Sequence, residues 1–364
     1  MKKIGIICYP TFGGSGIVAS ELGKSLSKQH QIHFISYKKP VRFDNSNSNM
    51  FFHKVDVPVY PLFEYPPYEL ALTTVIVEVV EKFDLDLIHV HYAIPHAYSA
   101  INAQAILLQK GIKIPIVTTL HGTDITLVGK SPSVTSAVNY AINKSSLVTA
   151  VSESLRLDTL KYFDVNKEIR VIPNFIHFKK NKRIIDKKQQ KIITHISNFR
   201  PVKRVLDVVD IFYRVQTQID AILILMGDGP ELVHAKKSVQ EKKIGHKVNF
   251  MGKSNKIEDV LNKSDLFLLP SEFESFGLVA LEAMSFGVPV ISTNSGGIVD
   301  LVKNGVNGYA CNVGDIAQMS EKSIEILSNE NLHYQMSSAS YDVAKKYDVN
   351  NILPMYEQCY NELY

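Results

Sequence analysis

The chain alternates short apolar runs, rich in β-branched residues, with longer amphipathic segments. Runs of this length and composition are typical of strands buried on both faces of a parallel sheet. The first half is therefore predicted to form a doubly wound α/β domain. Its predicted strands are Ile4–Tyr9, Ile32–Ser36, Leu87–His91, Ile114–Thr119 and Leu147–Val151, with a helix at Val18–Gln29.

The same alternation restarts after residue 190 and predicts a second α/β domain. Its predicted strands are Lys191–Ile196, Ala221–Met226, Lys247–Met251, Leu266–Leu269 and Val288–Ser292, with helices at Val205–Val215 and Gly277–Phe286. The stretch Ser340–Tyr364 is predicted to be helical and to return to the first domain.

The expected domains are residues 1–175 together with about 345–364, and residues 191–344. Residues 176–190 are basic and poor in core residues, which favours an interdomain linker, with a solvated surface loop as the alternative. Two such domains facing each other leave a cleft at the carboxyl ends of both sheets, where open α/β sheets bind ligands.

Composition narrows the classes of function. A chain of 364 residues suits two domains, and 45% apolar residues can form real cores. Its formal charge of +4 is too small to indicate nucleic acid as the main partner. The three cysteines suggest no disulfide or metal framework, and no apolar run reaches the roughly 18 residues of a membrane span. We expect a soluble, cytoplasmic protein, and the sequence leaves a homo-oligomer open.

The first candidate site is the turn Gly13-Gly14-Ser15-Gly16 after the first strand. Glycines let the backbone approach a ligand, and the following helix start attracts anions. The turn also fits the loose dinucleotide fingerprint. The second strand is followed by Lys38-Lys39 and no acidic residue, which argues against NAD and leaves NADP open. A turn that serves only tight packing is the alternative.

Histidines follow two other strands of this half. His121 stands at a strand end before Gly122, Thr123 and Asp124, where a structural role and a catalytic role are equally expected. The pair His89 and His91 shares one strand face, yet no third ligand is spaced to complete a metal site.

An Asp-x-Asp sequence, Asp84 to Asp86, resembles the metal-binding motif of some sugar transferases. It precedes a strand and so lies at the amino end of the sheet. We therefore interpret it as a solvated turn.

The second half offers a basic loop directly after its first strand. Asn198, Arg200 and Lys203 lie there, and cations beside a helix start at a strand's carboxyl end suit a diphosphate. A basic surface turn is the alternative. The turn that begins at Gly227 follows the next strand and is expected to bring backbone close to a flat base.

The most informative segment contains Glu274 and Glu282. Glu274 is expected in a loop, where its carboxylate can accept hydrogen bonds from sugar hydroxyls. Glu282 is expected inside the following helix, within reach of a ribose. The free N–H groups of Phe276, Gly277 and Leu278 at the helix start can hold a phosphate between them.

Together these motifs resemble the retaining glycosyltransferase family 4, whose GT-B fold has two Rossmann-like domains, and the likeness covers nearly the whole chain. More narrowly, several strings are similar to family members that join UDP-N-acetylglucosamine to L-malate for bacillithiol synthesis. They are Cys8-Tyr-Pro10, Phe63-Glu-Tyr-Pro-Pro-Tyr68, His89 to His96, Leu120-His-Gly-Thr-Asp124 and Ile196 to Arg204.

The resemblance implies UDP-N-acetylglucosamine and L-malate as substrates, with no metal or other cofactor. It implies that Glu282 binds the ribose, Glu274 the hexose, and Lys203 with Arg200 the diphosphate. Asn198 stands where the family often has arginine, so Arg200 is expected to supply that charge. The other implied contacts are Gly14, Gly16, Gly227, Phe276, Gly277 and Leu278 for the donor, His121 beside the donor sugar, and Ser15, Tyr92 and Thr123 for the acceptor.

Three alternatives remain at this point. One is a family 4 transferase with a lipid or polysaccharide acceptor. The others are an NADP-dependent oxidoreductase, which the glycine turn would serve, and a non-catalytic sensor of nucleotide sugars.

Overall fold

The structure is a computed structural model that describes residues 1–179, 190–254 and 256–364. The chain divides into two compact units. The first contains Met1–Asn174 and Val349–Tyr364, and the second contains Phe175–Asp348.

These boundaries differ slightly from the expected ones, because residue 175 and residues 345–348 lie in the second unit. The chain enters and leaves that unit at one point, where the N–H of Ile176 donates to the carbonyl of Tyr347 at 3.0 Å. Most of the expected linker, residues 180–189, lies outside the described residues.

Seven strands form the sheet of the first unit: β1 (Lys3–Ile7), β2 (Gln31–Ser36), β3 (Met50–Lys54), β4 (Leu87–His91), β5 (Ile116–Leu120), β6 (Leu147–Ala150) and β7 (Ile169–Val171). All pairings are parallel, in the order β3-β2-β1-β4-β5-β6-β7. The order reverses direction between β1 and β4, and ligands of open α/β sheets bind beyond the strand ends at such a point.

Helices connect these strands and supply the second layer of the core. They are α1 (Gly14–Leu26), α2 (Tyr68–Phe83), α3 (Tyr98–Gln109), α4 (Thr135–Lys144) and α5 (Glu153–Tyr162). Each buries one apolar face, as α2 does with Leu72, Ile76 and Val80. Short helical turns at Ala93–Ala97 and Thr123–Leu127 follow β4 and β5.

Six strands form the sheet of the second unit: β8 (Lys191–Ser197), β9 (Ala221–Gly227), β10 (Val248–Gly252), β11 (Leu266–Leu269), β12 (Val290–Thr293) and β13 (Gly308–Cys311). This sheet is also parallel, in the order β10-β9-β8-β11-β12-β13. It therefore has the same doubly wound order as the first, with its reversal between β8 and β11. The predicted α/β class with two Rossmann-like domains is confirmed.

The helices of the second unit are α6 (Val205–Val215), α7 (Leu232–Glu241), α8 (Ile257–Leu261), α9 (Leu278–Ser285), α10 (Ile298–Leu301), α11 (Ile316–Ser328) and α12 (Glu330–Lys346). The core of this unit lies between its sheet and helices such as α6, which buries Val208, Ile211 and Phe212.

The last helix, α13 (Val349–Asn361), belongs to the first unit. Its Tyr356 and Tyr360 are fully buried, and the hydroxyl of Tyr360 lies 2.7 Å from Nδ1 of His89 on β4. Glu357 pairs with His30 at 2.9 Å. These contacts hold α13 against β4 and against the segment between α1 and β2.

We expect Tyr360→Ala to lower the free energy of unfolding by about 3–5 kcal/mol, because it leaves a large cavity and removes the hydrogen-bond partner of Nδ1 of His89. Urea unfolding measures this change. The matched control is Tyr334→Ala, since that side chain is 59% exposed and its loss should cost about 0.5 kcal/mol or less. Equal effects of the two substitutions would contradict the anchoring role of α13.

Candidate active site

The residues singled out from the sequence form two clusters, one in each unit. In the first unit they follow β1, β4 and β5, and in the second they follow β8, β9 and β11. Both clusters therefore lie at the carboxyl ends of strands that flank the reversal point of a sheet, which is where the fold class binds ligands.

The glycine turn of the first unit leads directly into α1. Gly13 precedes the helix in an extended conformation, and Gly14 is its first residue, so the N–H groups of Gly14 and Ser15 lie in the first helical turn. Close packing explains why position 16 carries glycine. A Cβ there would lie 2.4 Å from the carbonyl oxygen of Thr11 and 2.7 Å from that of Tyr9. The tight-packing alternative therefore accounts for Gly16.

The three predicted acceptor residues come together in the fold. The hydroxyls of Ser15 and Tyr92 lie 2.6 Å apart although the residues are 77 positions apart in the chain. The side chain of Thr123 lies close enough to the Tyr92 hydroxyl to oppose the rise of its pKa. Burial raises the pKa of Tyr92 to about 12, so its phenol stays protonated and can donate a hydrogen bond.

Tyr92 holds an unusual backbone conformation, with φ of 89° and ψ of 136°. Side chains larger than glycine rarely adopt such a φ, and the cost is about 1–3 kcal/mol. The strands around it maintain this geometry, because its N–H donates to the carbonyl of Thr119 at 2.9 Å. The conformation directs the Tyr92 hydroxyl toward Ser15.

The loop that carries His121 is organised by Asp124. The carboxylate of Asp124 accepts hydrogen bonds from the N–H groups of Ala93 at 2.8 Å, Gly122 at 3.0 Å and His121 at 3.3 Å. It therefore ties the loop after β5 to the loop after β4. Burial raises the pKa of Asp124 to about 6, against the opposing effect of these donors. Sequence analysis noted Asp124 only as a residue of the motif and missed this role.

The imidazole of His121 is nearly enclosed. Its Nε2 lies 2.8 Å from Nδ1 of His91, and its ring centre lies 5.2 Å from that of Tyr92. Burial, followed by the charge of His96, lowers the pKa of His121 to about 3. His121 is consequently a neutral imidazole at physiological pH.

The rings of His89 and His91 stack, with their centres 4.6 Å apart. Both side chains form hydrogen bonds within the first unit. His89 contacts Tyr360 and Thr119, both at 2.7 Å, and His91 contacts His121. Within the described ranges, no group of three or more His, Cys, Asp or Glu side chains is placed to hold a metal ion.

In the second unit, Lys203 and Glu274 form an ion pair. Nζ of Lys203 donates to Oε1 of Glu274 at 2.6 Å, and the hydroxyl of Ser271 donates to the same oxygen at 2.7 Å. The two side chains come from the loops after β8 and β11, which flank the reversal point. A cation and a carboxylate are thus fixed side by side at this edge of the sheet.

The backbone of Glu274 is fixed as well. Its carbonyl accepts a 2.7 Å hydrogen bond from the N–H of Gly297, and Gly296 packs directly on it. Gly296 has a φ of 78°, and a Cβ there would lie 2.2 Å from the Glu274 carbonyl oxygen. Sequence analysis missed this contact, although two adjacent glycines shortly after a predicted strand could have drawn attention to it.

The predicted phosphate site lies at the start of α9. Gly277 precedes the helix with a φ of 90°, and Leu278 is the first helical residue. Phe276 is buried and its ring packs on Tyr347 at 5.7 Å. Glu282 is half-buried and lies about 6 Å further along the helix axis than Leu278.

The loop after β8 packs closely on the turn after β9. A Cβ at Gly227, which has a φ of 134°, would lie 1.8 Å from the carbonyl oxygen of Ser197. Ser197 and Gly227 are paired at the ends of β8 and β9, so the glycine is required for the close approach of these two strand ends. Asn198 and Arg200 are exposed on the first of these loops.

A buried histidine that sequence analysis missed supports the same loop. Nδ1 of His195 lies 2.9 Å from the carbonyl oxygen of Leu268, and its Nε2 lies 2.8 Å from the hydroxyl of Ser197. Burial lowers its pKa to about 4, so it acts as a neutral link between β11 and the Lys203 loop.

Two family models match the chain in sequence. The Glycosyltransferase Family 4 model matches residues 12–180, and the model described as Glycosyl transferases group 1 matches residues 177–343. N-acetyl-alpha-D-glucosaminyl L-malate synthase of Bacillus anthracis is 44% identical over 99% of this chain and 97% of that protein. The chain belongs to glycosyltransferase family 4 and is a glycosyltransferase.

More distant proteins share its fold. An uncharacterised glycosyltransferase of Methanocaldococcus jannaschii is 27% identical over 98% of this chain and 97% of its own. The structure of sucrose-phosphate synthase from Thermosynechococcus elongatus matches with a TM-score of 0.83 at 17% identity, covering 100% of this chain and 99% of the other. The Anabaena protein HepE in complex with UDP-glucose matches with a TM-score of 0.81 at 20% identity, covering both chains fully. The predicted GT-B fold is confirmed.

Among the helices described, none combines the length and the hydropathy needed to cross a membrane.

The buried histidines predict that acid destabilises the first unit. Burial lowers the pKa of His89 and His121 to about 3 and that of His96 to about 4, and it lowers the pKa of His91 well below its usual range. Each takes up a proton on unfolding at pH values between its folded pKa and about 6.5, so stability falls as the pH drops through this range. Asp124 has the opposite effect between about pH 4 and 6. Burial also lowers the pKa of His33 to about 4 and lowers that of His53, so this one group opposes six histidines of the first unit.

We therefore expect the free energy of unfolding to fall steeply from pH 6.5 to 4.5, by about 1.4 kcal/mol per pH unit for each unmatched proton. Urea unfolding at several pH values measures the slope. His89→Gln should reduce the slope by about one proton, whereas His246→Gln, a change at an exposed histidine, should leave it unchanged. A flat profile across this range would show that these histidines are protonated in the folded protein.

Proposed function

We propose that this glycosyltransferase moves N-acetylglucosamine from UDP-N-acetylglucosamine to the hydroxyl of L-malate, with retention at the anomeric carbon. The observation that carries the proposal is the 44% identity, over 99% of the chain, to the Bacillus anthracis protein whose name states this reaction. The geometry of the two clusters is compatible with it.

The donor would be held by the second unit. The half-buried Glu282 would accept hydrogen bonds from the ribose hydroxyls, while the N–H groups of Gly277 and Leu278 would face a phosphate at the start of α9. Lys203 would neutralise the departing diphosphate, and Glu274 would bind hexose hydroxyls. Their ion pair supports these roles because it places the cation beside the carboxylate in advance.

Arg200 would supply a second positive charge to the diphosphate. It is exposed, and it stands two residues after Asn198, the position where the family often carries arginine. The backbone of Gly14, Gly16 and Gly227 would complete the donor contacts.

The acceptor would be bound by the hydroxyl cluster of the first unit. Ser15, Tyr92 and Thr123 bring three hydroxyls near one another, and the hydrogens not used in the bond between Ser15 and Tyr92 can be donated to a carboxylate oxygen. A dicarboxylate such as malate accepts hydrogen bonds at both ends, which suits a site built from donors. His121, a neutral imidazole next to Tyr92, would lie beside the transferred sugar.

In the proposed reaction, the bond between the anomeric carbon and the β-phosphate oxygen breaks, and a bond to the malate hydroxyl oxygen forms on the same face. The hydroxyl proton passes to the departing β-phosphate, so the products are the glycoside and UDP. The protein would contribute charge stabilisation and positioning. No metal or other cofactor is required, because Lys203, Arg200 and the helix N–H groups carry the needed positive charge.

The test is to incubate the purified protein with UDP-N-acetylglucosamine, with and without L-malate, and to measure UDP release and product mass. We expect release that depends on malate, gives one molecule of glycoside per UDP and persists in EDTA. Turnover only with a lipid or polysaccharide acceptor would replace malate by that acceptor. Loss of activity in EDTA that Mg²⁺ restores would contradict the metal-free assignment.

We expect Lys203→Ala to lower kcat by about 100-fold or more, because it removes one charge that stabilises the leaving group. The variant should still melt cooperatively, since Ser271 continues to donate to Glu274. Lys237→Ala is the matched control, as that side chain is 74% exposed in the same unit, and its kcat should match the wild type. Wild-type turnover in Lys203→Ala would refute the diphosphate role.

A further inference from the structure

His91 and His121 form a buried pair at the ends of neighbouring strands. His91 is the last residue of β4 and is fully buried, while His121 directly follows β5 and is 8% exposed. Nδ1 of His91 lies 2.8 Å from Nε2 of His121, and the two rings are inclined by 27°. The distance is that of a hydrogen bond, and one of these two nitrogens must therefore carry the hydrogen.

Both rings are neutral. Burial is the main cause that lowers the pKa of each, to about 3 for His121 and well below the usual range for His91. A neutral imidazole has one N–H and one lone pair, so the direction of the shared hydrogen bond determines the tautomer of both residues. The hydrogen bond can run in either direction. Each direction leaves a different group, an N–H or a lone pair, on the second nitrogen of each ring.

The second nitrogen of His91, Nε2, decides between the two directions of the hydrogen bond. Nε2 of His91 is buried and has no hydrogen-bond partner among the residues that the structure describes. If His91 accepted the bond, its hydrogen would sit on Nε2 as a buried N–H without an acceptor, a group that folded proteins almost never leave unpaired. If His91 donates from Nδ1, only a lone pair is left there, which is the less costly arrangement.

We propose that His91 is a positioning residue that donates its Nδ1 hydrogen to His121 and so holds His121 with its own hydrogen on Nδ1. His121 then offers an N–H donor, and no basic lone pair, to the ligands. Nδ1 of His121 is not enclosed as Nε2 of His91 is, so the donor can reach a bound molecule. The inference rests on the proposed function for the identity of that molecule, the transferred sugar.

The tautomer has a chemical consequence. An N–H at this position can hold a sugar hydroxyl or an oxygen that gains negative charge, and one such donor is worth about 100-fold in rate. It cannot remove the proton of the acceptor. This agrees with the proposed reaction, in which the departing phosphate takes that proton.

Two substitutions of His91 separate positioning from packing. The side-chain amide of Asn places an N–H donor near the location of Nδ1, whereas Leu fills nearly the volume of His and has no donor. We expect His91→Asn to keep kcat within about 3-fold and His91→Leu to lower it by about 30-fold or more, with KM for both substrates little changed. A packing role predicts the opposite order, because Asn leaves a cavity and Leu does not.

A matched control is His33→Leu. His33 is also fully buried in the first unit and hydrogen-bonded to another histidine, His53, at 2.9 Å, but on strands β2 and β3. Its replacement should cost stability and leave kcat near the wild-type value. If His33→Leu lowers kcat as much as His91→Leu does, general destabilisation explains both and the proposal is overturned.

The tautomer can be observed without any activity. In protein labelled with ¹⁵N at histidine, nitrogens with and without hydrogen resonate far apart, and His121→Gln identifies the signals of His121. We expect its Nδ1 to carry the hydrogen and its Nε2 to lack it, and the reverse pattern would overturn the proposal. Absence of malate-dependent UDP release from the wild type would instead refute the proposed function, since the tautomer measurement stands apart from it.

Discussion

Burial of the parallel strands on both faces is the constraint on which the rest of the structure depends. Strands such as β4 and β11 have no solvent-facing side, so nearly every side chain along them is enclosed. Polar groups that must meet a ligand can therefore lie only where strands end. Both clusters of candidate residues obey this rule, and both flank the point at which the strand order of their sheet reverses.

The same constraint explains what could be predicted. Strands β4 and β11 and helix α6 were predicted with the bounds that the structure has, because a fully buried strand is an unbroken apolar run and an amphipathic helix has a clear period. The strands that were missed, β3, β7 and β13, all lie at sheet edges. Their half-buried side chains interrupt the apolar run, so the pattern loses its signal there.

For the candidate sites, the sequence indicated which residues belong to each site. It indicated much less well which contacts hold those residues in place. The Ser15 and Tyr92 hydroxyls were assigned to one ligand from resemblance, and only the fold shows that they touch. Supporting groups such as Asp124, His195 and Gly296 act on residues that are distant in the chain or through backbone contacts. No local spacing rule reports such contacts. The glycines were noticed for ligand approach, whereas Gly16 is required by the packing of α1 on the turn after β1, and Gly227 by the close approach of the ends of β8 and β9.

The pairing of Ile176 with Tyr347 makes the second unit an insertion within the first. During synthesis, every residue of the second unit leaves the ribosome before Tyr356 and Tyr360, which complete the core behind His89. The second unit can thus fold while the first unit still lacks α13. The N-terminal strands of the first unit, by contrast, gain their last core contacts only from residues more than 250 positions later in the chain. Maturation of the cluster in the first unit is therefore linked to the synthesis of α13, whereas the cluster in the second unit can form before that helix is made.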